Sequence, residues 1–167
     1  MNLRILRRTR KTLKPGDIFV LQARDHEFVF GRVIRTDARH GGFEECVLVY
    51  IYAAFSADKS GPSELDRDRL LIPPLLTGKY MWTRGYFEPV GSRPLEQDDV
   101  LPQHCFYSFR WGESYYDEFN NRLPERVEPC GSYSIYLPRG VDRDISIALG
   151  IPLSEDHASA NDEHDAL

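Results

Sequence analysis

Apolar residues in this chain come in short blocks of strand length, bounded by turn residues, and show no sustained three-and-four spacing of a long amphipathic helix. After Pro15-Gly16, residues 17–23 are apolar and β-prone, and residues 27–35 (EFVFGRVIR) repeat that character beyond the turn-like Arg24-Asp25-His26. The two read as a hairpin. His40-Gly41-Gly42 makes a second turn before residues 46–53 (CVLVYIYA), whose unbroken Val, Leu, Ile and Tyr content predicts a central strand. Residues 56–69 are polar and read as an exposed loop or one irregular helical turn. Pro73-Pro74 interrupts residues 70–76 and confines them to an edge strand or an extended crossing.

Further on, residues 79–87 (KYMWTRGYF) and 104–111 (HCFYSFRW) are aromatic strand candidates, joined by an acidic, proline-bearing connection at 96–102. A last strand is predicted at 133–137. Asp142 then serves as N-cap of a short helix through Ile145, Ala148 and Leu149, closed by Gly150 and Pro152. The predicted fold is mainly β (α+β class): a twisted, partly barrel-like antiparallel sheet with one short C-terminal helix. The expected division is a basic N-terminal arm at 1–14, a single β-rich domain at 15–153, and an acidic tail at 154–167. That tail has five acids and no Lys or Arg, too polar a composition to offset its ordering entropy, so it is expected to be disordered.

Composition adjusts this picture in three ways. A chain of 167 residues is long enough for one self-sufficient core. Its longest apolar run, 47–55, is of strand length, so no membrane-spanning helix is expected. Cys46, Cys105 and Cys130 make an odd count without short spacing, which fits a reducing cytoplasm. The opening segment lacks the apolar region and cleavage site of a secretory signal. Charge is unevenly placed: six of the 21 Lys and Arg lie within positions 1–14, so the rest carries 15 against 26 acids, a balance of −11. Such a body repels nucleic-acid phosphates and attracts basic proteins.

Candidate chemistry is sparse. His104 and Cys105 are adjacent, so on a strand they point to opposite faces and share no proton. Cys46 and Cys105 lie in aromatic and aliphatic runs, as small buried hydrophobes do. His40-Gly41-Gly42-Phe43 has no accompanying nucleophile elbow, and a hairpin turn explains its glycines. There is no close-set His and Cys ligand pattern, no P-loop and no dinucleotide fingerprint, so neither metal nor cofactor is expected. The acid pairs Glu44-Glu45, Asp98-Asp99 and Asp117-Glu118 read as solvated surface. Most of the aromatics must be core, while the run from Trp111 to Glu118 interleaves aromatics with acids, a composition suited to protein contact.

One ordered set of pieces goes further. Lys14-Pro15-Gly16-Asp17-Ile18-Phe19, Phe30-Gly31-Arg32-Val33, the strand at 47–52, and Trp82 with Gly85-Tyr86-Phe87 follow one another in the chain. Gly91 with Pro94-Leu95, the strand at Phe106, Tyr116-Asp117-Glu118 with Asn121, Gly131 and the turn at 145–149 complete the order. Over roughly positions 11–150, this resembles the immunity protein 26 family. The resemblance implies a bacterial cytoplasmic protein, encoded beside a polymorphic toxin, that binds and neutralises the toxin's effector domain without catalysis or a cofactor. Gly16, Gly31 and Trp82 then read as structural.

The acidic, aromatic surface is accordingly expected to occlude a basic toxin domain. The expected contacts are Asp25, His26, Glu44 and Glu45 at the two hairpin turns, with Glu113, Tyr115, Tyr116, Asp117 and Glu118. A second reading is a nucleic-acid-binding β-domain that uses the basic arm and exposed aromatics, with binding that collapses in salt. A third, a hydrolase with scattered acids, would require a cleft of converging carboxylates.

Overall fold

The computed structural model describes residues 1–62 and 64–155; the tail expected at 154–167 lies, from residue 156 on, outside the described residues. Pro15-Gly16 opens β1 (Asp17–Leu21), followed by the long strands β2 (Phe28–His40) and β3 (Phe43–Ser56) in an antiparallel meander. Gly41, with φ of +56°, supplies the left-handed residue that the β2–β3 turn requires. β4 (Leu70–Thr77), the short helix α1 (Tyr80–Thr83) and β5 (Glu88–Ser92) come next. β6 (Cys105–Ser108), β7 (Ser114–Tyr116), β8 (Arg122–Leu123), β9 (Cys130–Ser132), β10 (Ile135–Tyr136) and α2 (Pro138–Leu149) complete the chain.

The strands form two mixed sheets, in the orders β10-β4-β3-β2-β1-β5 and β8-β7-β6-β9. The mainly β expectation holds, but the sheets stay open rather than closing into a barrel. Two pairings, β10 with β4 and β6 with β9, are parallel. Both faces of the large sheet are covered, which explains the unbroken apolar run in β3. Val47, Val49 and Ile51 join Trp82, Phe87, Val141 and Ile145 on one face. Cys46, Leu48, Tyr50 and Tyr52 join Phe30, Leu76 and Phe106 of the small sheet on the other.

Two motif glycines are fixed by close approach. A Cβ on Gly31 would lie 2.3 Å from the Phe19 ring, and one on Gly16 would lie 2.4 Å from the Arg93 carbonyl oxygen. Phe19 cannot yield, because it is stacked on Phe87 at 4.3 Å and meets Trp82 edge-on at 5.3 Å. Arg32, next to Gly31, points to the other face and is wholly buried. Its guanidinium donates to the carbonyls of Arg93 and Pro94 at 2.6 and 3.1 Å and stands 3.2 Å from the Asp99 carboxylate, pinning the 93–99 loop to the sheet.

Several expectations change. Residues 79–87 are not a strand: α1 forms between Gly78 and Gly85 and puts the consecutive Met81 and Trp82 into one core, whereas a strand would point them to opposite faces. Residues 70–76 are not an edge strand, since β4 lies between β3 and β10. Pro73 and Pro74 are tolerated there because the β3–β4 register slips between Ile51↔Ile72 and Val49↔Leu75, while β10 reaches only Leu76 and Thr77. Asp142 is not the N-cap: α2 begins at Pro138 with Leu137 as its cap, and Asp142 is buried mid-helix, accepting the Leu3 amide. The basic segment is itself seated on the body. Leu3 and Leu13 are buried, and the amides of Arg4, Leu6 and Thr9 donate to the carbonyls of Gln22, Gly85 and Trp82.

Gly31→Ala should therefore overpack the Phe19–Trp82–Phe87 cluster and cost about 1–3 kcal/mol, lowering Tm by roughly 3–10 °C. Gly42, whose added Cβ would meet nothing within 4 Å, is the matched control. Thermal melts should show Gly42→Ala within about 0.5 kcal/mol of the parent; equal losses at both positions would contradict this packing argument.

Candidate functional site

β2 and β3 run past β1, and the far half of β2 finds a different neighbour. β1 pairs with β2 only from Val29 to Arg32; farther along, the Arg39 amide donates to the Glu118 carbonyl at 2.8 Å. The small sheet is thereby docked beside the β2–β3 tip. An aromatic pile fastens the two: His40 stacks on Tyr133 at 4.3 Å, and Tyr133 stacks on Tyr116 at 4.4 Å. Arg35 is ion-paired with Asp37 at 2.8 Å and lies 4.6 Å over the Phe119 ring. Its hydrogen bond to Asp37 holds that carboxyl below its ordinary value.

Beneath this surface runs a buried polar chain. His104 Nδ1 lies 3.0 Å from Glu118 Oε2, His104 Nε2 meets the Tyr50 hydroxyl, and the Leu101 amide donates to that hydroxyl at 3.0 Å. A carboxylate only accepts, so Nδ1–H faces Glu118, while Nε2 and the Tyr50 hydroxyl share the second hydrogen bond. Burial pushes the Tyr50 hydroxyl up to about 12. Burial also raises Glu118, but the His104 hydrogen bond and field, with Arg35 beyond, outweigh it and leave the carboxyl below its ordinary value. The chain is internally satisfied and ties β3, β6 and the segment after β7 together.

As the alternation of side chains requires, Cys105 points away from His104. It faces Cys130 on β9, Sγ to Sγ at 3.3 Å, with both side chains buried. Burial pushes the Cys130 thiol up to about 12, the reverse of what a nucleophile needs. Cys46 is buried as well, and burial raises its thiol above the ordinary value.

The nine residues singled out from sequence fall in three places. Glu44 and Glu45 are exposed on the β2–β3 tip, where the step from Ala38↔Cys46 to His40↔Phe43 fits one extra residue into β3; Glu45 takes φ of 56° within that bulge. Tyr116, Asp117 and Glu118 lie beside this tip, half-buried, with Asp117 capping the turn to Asn121. Glu113 is exposed and accepts from the half-buried Tyr115 near the β6–β7 turn. Asp25 and His26 are exposed at the opposite end of β2, whose 13 residues at ~3.3 Å each put them about 40 Å from Glu44 and Glu45. Sequence reasoning missed Phe43, 66% exposed at the tip, and Phe109, 64% exposed on the β6–β7 turn, and it named the run that begins at Trp111 without counting Trp111, 88% exposed, among the contacts. Gly112, just after Trp111, was the available signal that these aromatics sit on a turn rather than in a strand.

Because folding lowers the Glu118 pKa, its stabilisation is present above the ordinary 4.5 and is lost as pH falls through the folded value. Glu118→Gln should lower Tm at neutral pH by several degrees, and the gap to the parent should narrow as pH falls below 4.5 and Glu118 takes up its proton. Melts across that range check this; a gap that stays constant would contradict the proposed link.

Among the described residues, no helix is long and apolar enough to cross a membrane. No curated protein and no solved structure shows a significant match to the chain. The family model described as "Immunity protein 26" matches residues 14–117, from the lysine before Pro15-Gly16 through β7, and so takes in the meander, the Phe19–Trp82–Phe87 cluster and the Arg32 clamp. Over that span, which is more than half of its length, the chain belongs to the immunity protein 26 family, a family named for immunity proteins of toxin systems.

Proposed function

We propose that this protein is a cytoplasmic antidote that binds the effector domain of a polymorphic toxin encoded beside it and neutralises that domain by steric blockade, without catalysis. Family membership carries the reading. The working surface is assigned to the end where the β2–β3 tip meets the small sheet. Phe43 stands exposed beside Glu44 and Glu45 on the tip, and Phe109 and Trp111 stand exposed beside Glu113 on the β6–β7 turn. Rigid aromatics with an acidic surround suit a basic partner, the aromatics supplying desolvated anchors and the acids guiding encounter.

Scale supports one surface. A standard interface covers about 800 Å² per partner, roughly 30 Å across. The β6–β7 turn and the Tyr116 pile, separated by the short β7, lie within about 15 Å of each other and fit inside such a patch. Asp25 and His26, about 40 Å away along β2, do not. Protection at low cellular concentration calls for nanomolar affinity, about −12 kcal/mol.

Trp111→Ala combined with Glu44→Lys and Glu45→Lys should weaken the complex by at least about a hundredfold and abolish protection of cells that express the toxin domain. Asp25→Ala with His26→Ala should leave both unchanged. Titration calorimetry and a survival assay read the two sets; the reverse pattern would move the interface to the other end, and an unbound toxin domain would remove the proposed function.

A further inference from the structure

We propose that the groove between the basic N-terminal segment and strand β5 is a binding site for an extended acidic peptide. This goes beyond the antidote function, since none of the nine partner-contact candidates lines the groove. Its main cavity, about 320 Å³, lies between residues 11–14 on one side and Pro89, Gly91 and Ser92 on the other, with Trp82 at its buried base. A second cavity of about 200 Å³ shares Lys11 and Pro89 with it and extends to Arg7 and Thr9.

Three observations select the occupant. The first is charge. Arg4, Arg7, Arg8, Arg10, Lys11 and Lys14 are all exposed, and among the described residues none is ion-paired with a carboxylate. Among the described residues Asp17 is the one acid lining these two cavities, and its Oδ2 is occupied by the Lys14 amide at 2.9 Å. The second is rigidity: buried Leu3 and Leu13 and the amide bonds to Gln22, Gly85 and Trp82 hold the backbone of the segment in place, so binding has to order the Arg and Lys side chains and not the chain that carries them. The third is the edge itself. β5 is the outer strand of the large sheet and among the described residues pairs with β1 alone, which leaves one side of its backbone, short of an N–H at Pro89, for an added strand.

These features favour a peptide over nucleic acid. Single-stranded nucleic acid wants exposed aromatics beside the cations to stack its bases. Here the lining aromatic, Trp82, is 2% exposed, and the exposed Phe109 and Trp111 line neither cavity. An acidic strand can pair its backbone with β5 while its carboxylates meet Arg7, Lys11 and Lys14.

The test is fluorescence anisotropy of the full chain with a short fluorescein-labelled peptide alternating Glu and Val. A Lys–Val peptide, a Glu–Val peptide N-methylated at alternate residues, and an oligothymidine of equal charge serve as comparison probes. The Glu–Val peptide should bind saturably, the Lys–Val peptide should not, and N-methylation should weaken binding about tenfold by removing donors to the edge. Lys11→Ser with Lys14→Ser, both on the surface, should weaken it by at least about tenfold with unchanged circular dichroism. Absence of saturable binding, indifference to N-methylation, or tighter binding of oligothymidine would each overturn the proposal. Toxin protection, measured separately on the same variant, distinguishes failure of this site from failure of the antidote function.

Discussion

The pairing of β2 with β3 is the constraint from which the rest of the fold follows. These strands, 13 and 14 residues long, extend beyond β1, so their near half builds a conventional sheet while their far half must find other cover. Four register irregularities along the ladder break its regular pairing, the places where a long hairpin can bend and twist. The cover comes from a chain segment almost eighty positions later, whose Glu118 carbonyl takes the donor on Arg39 that β1 does not reach. The exposed acids of the tip and the aromatics of the small sheet become neighbours for that reason, and a surface arises that neither part presents alone.

Arg32 shows what this two-sided burial costs. A guanidinium inside an apolar layer is expensive unless its charge and donors are matched; the 93–99 loop supplies two carbonyls to Nη2 and the Asp99 carboxylate to the charge, and leaves Nε and Nη1 without a hydrogen bond among the described residues. The ion pair thus converts an irregular loop into a fixed lid over the second core. Gly31, one residue earlier, serves the opposite face by admitting the Phe19 ring. Adjacent residues of one motif therefore hold two different layers, and both fastenings lie within the 14–117 span of the family match.

Much of the near half was legible in the sequence. The turn residues at 15–16 and 40–42 and the apolar run at 46–53 gave the meander, and the structural reading of Gly16, Gly31 and Trp82 is met by close contacts. The aromatic segment at 79–87 misled because nine residues without alternation carry no period, and tertiary packing chose a helical turn. β8 and β10 have two residues each and β7 and β9 three, too short to leave a pattern. Asp142 looked like a cap because its partner, the Leu3 amide, lies 139 positions away. The candidate surface was half legible for the same reason. Its acids were readable locally, but the His40–Tyr133–Tyr116 pile and the Tyr50–His104–Glu118 chain exist only through long-range contacts.

Hydrogen–deuterium exchange on this protein mixed with its proposed partner, a toxin effector domain, tests the central claim most directly. Protection gained at the β2–β3 tip and across 109–118, with the Asp25–His26 turn exchanging as in the free protein, is the predicted footprint. Protection confined to the Asp25–His26 end, or no change anywhere on mixing, would contradict an antidote that works through the far end of this hairpin.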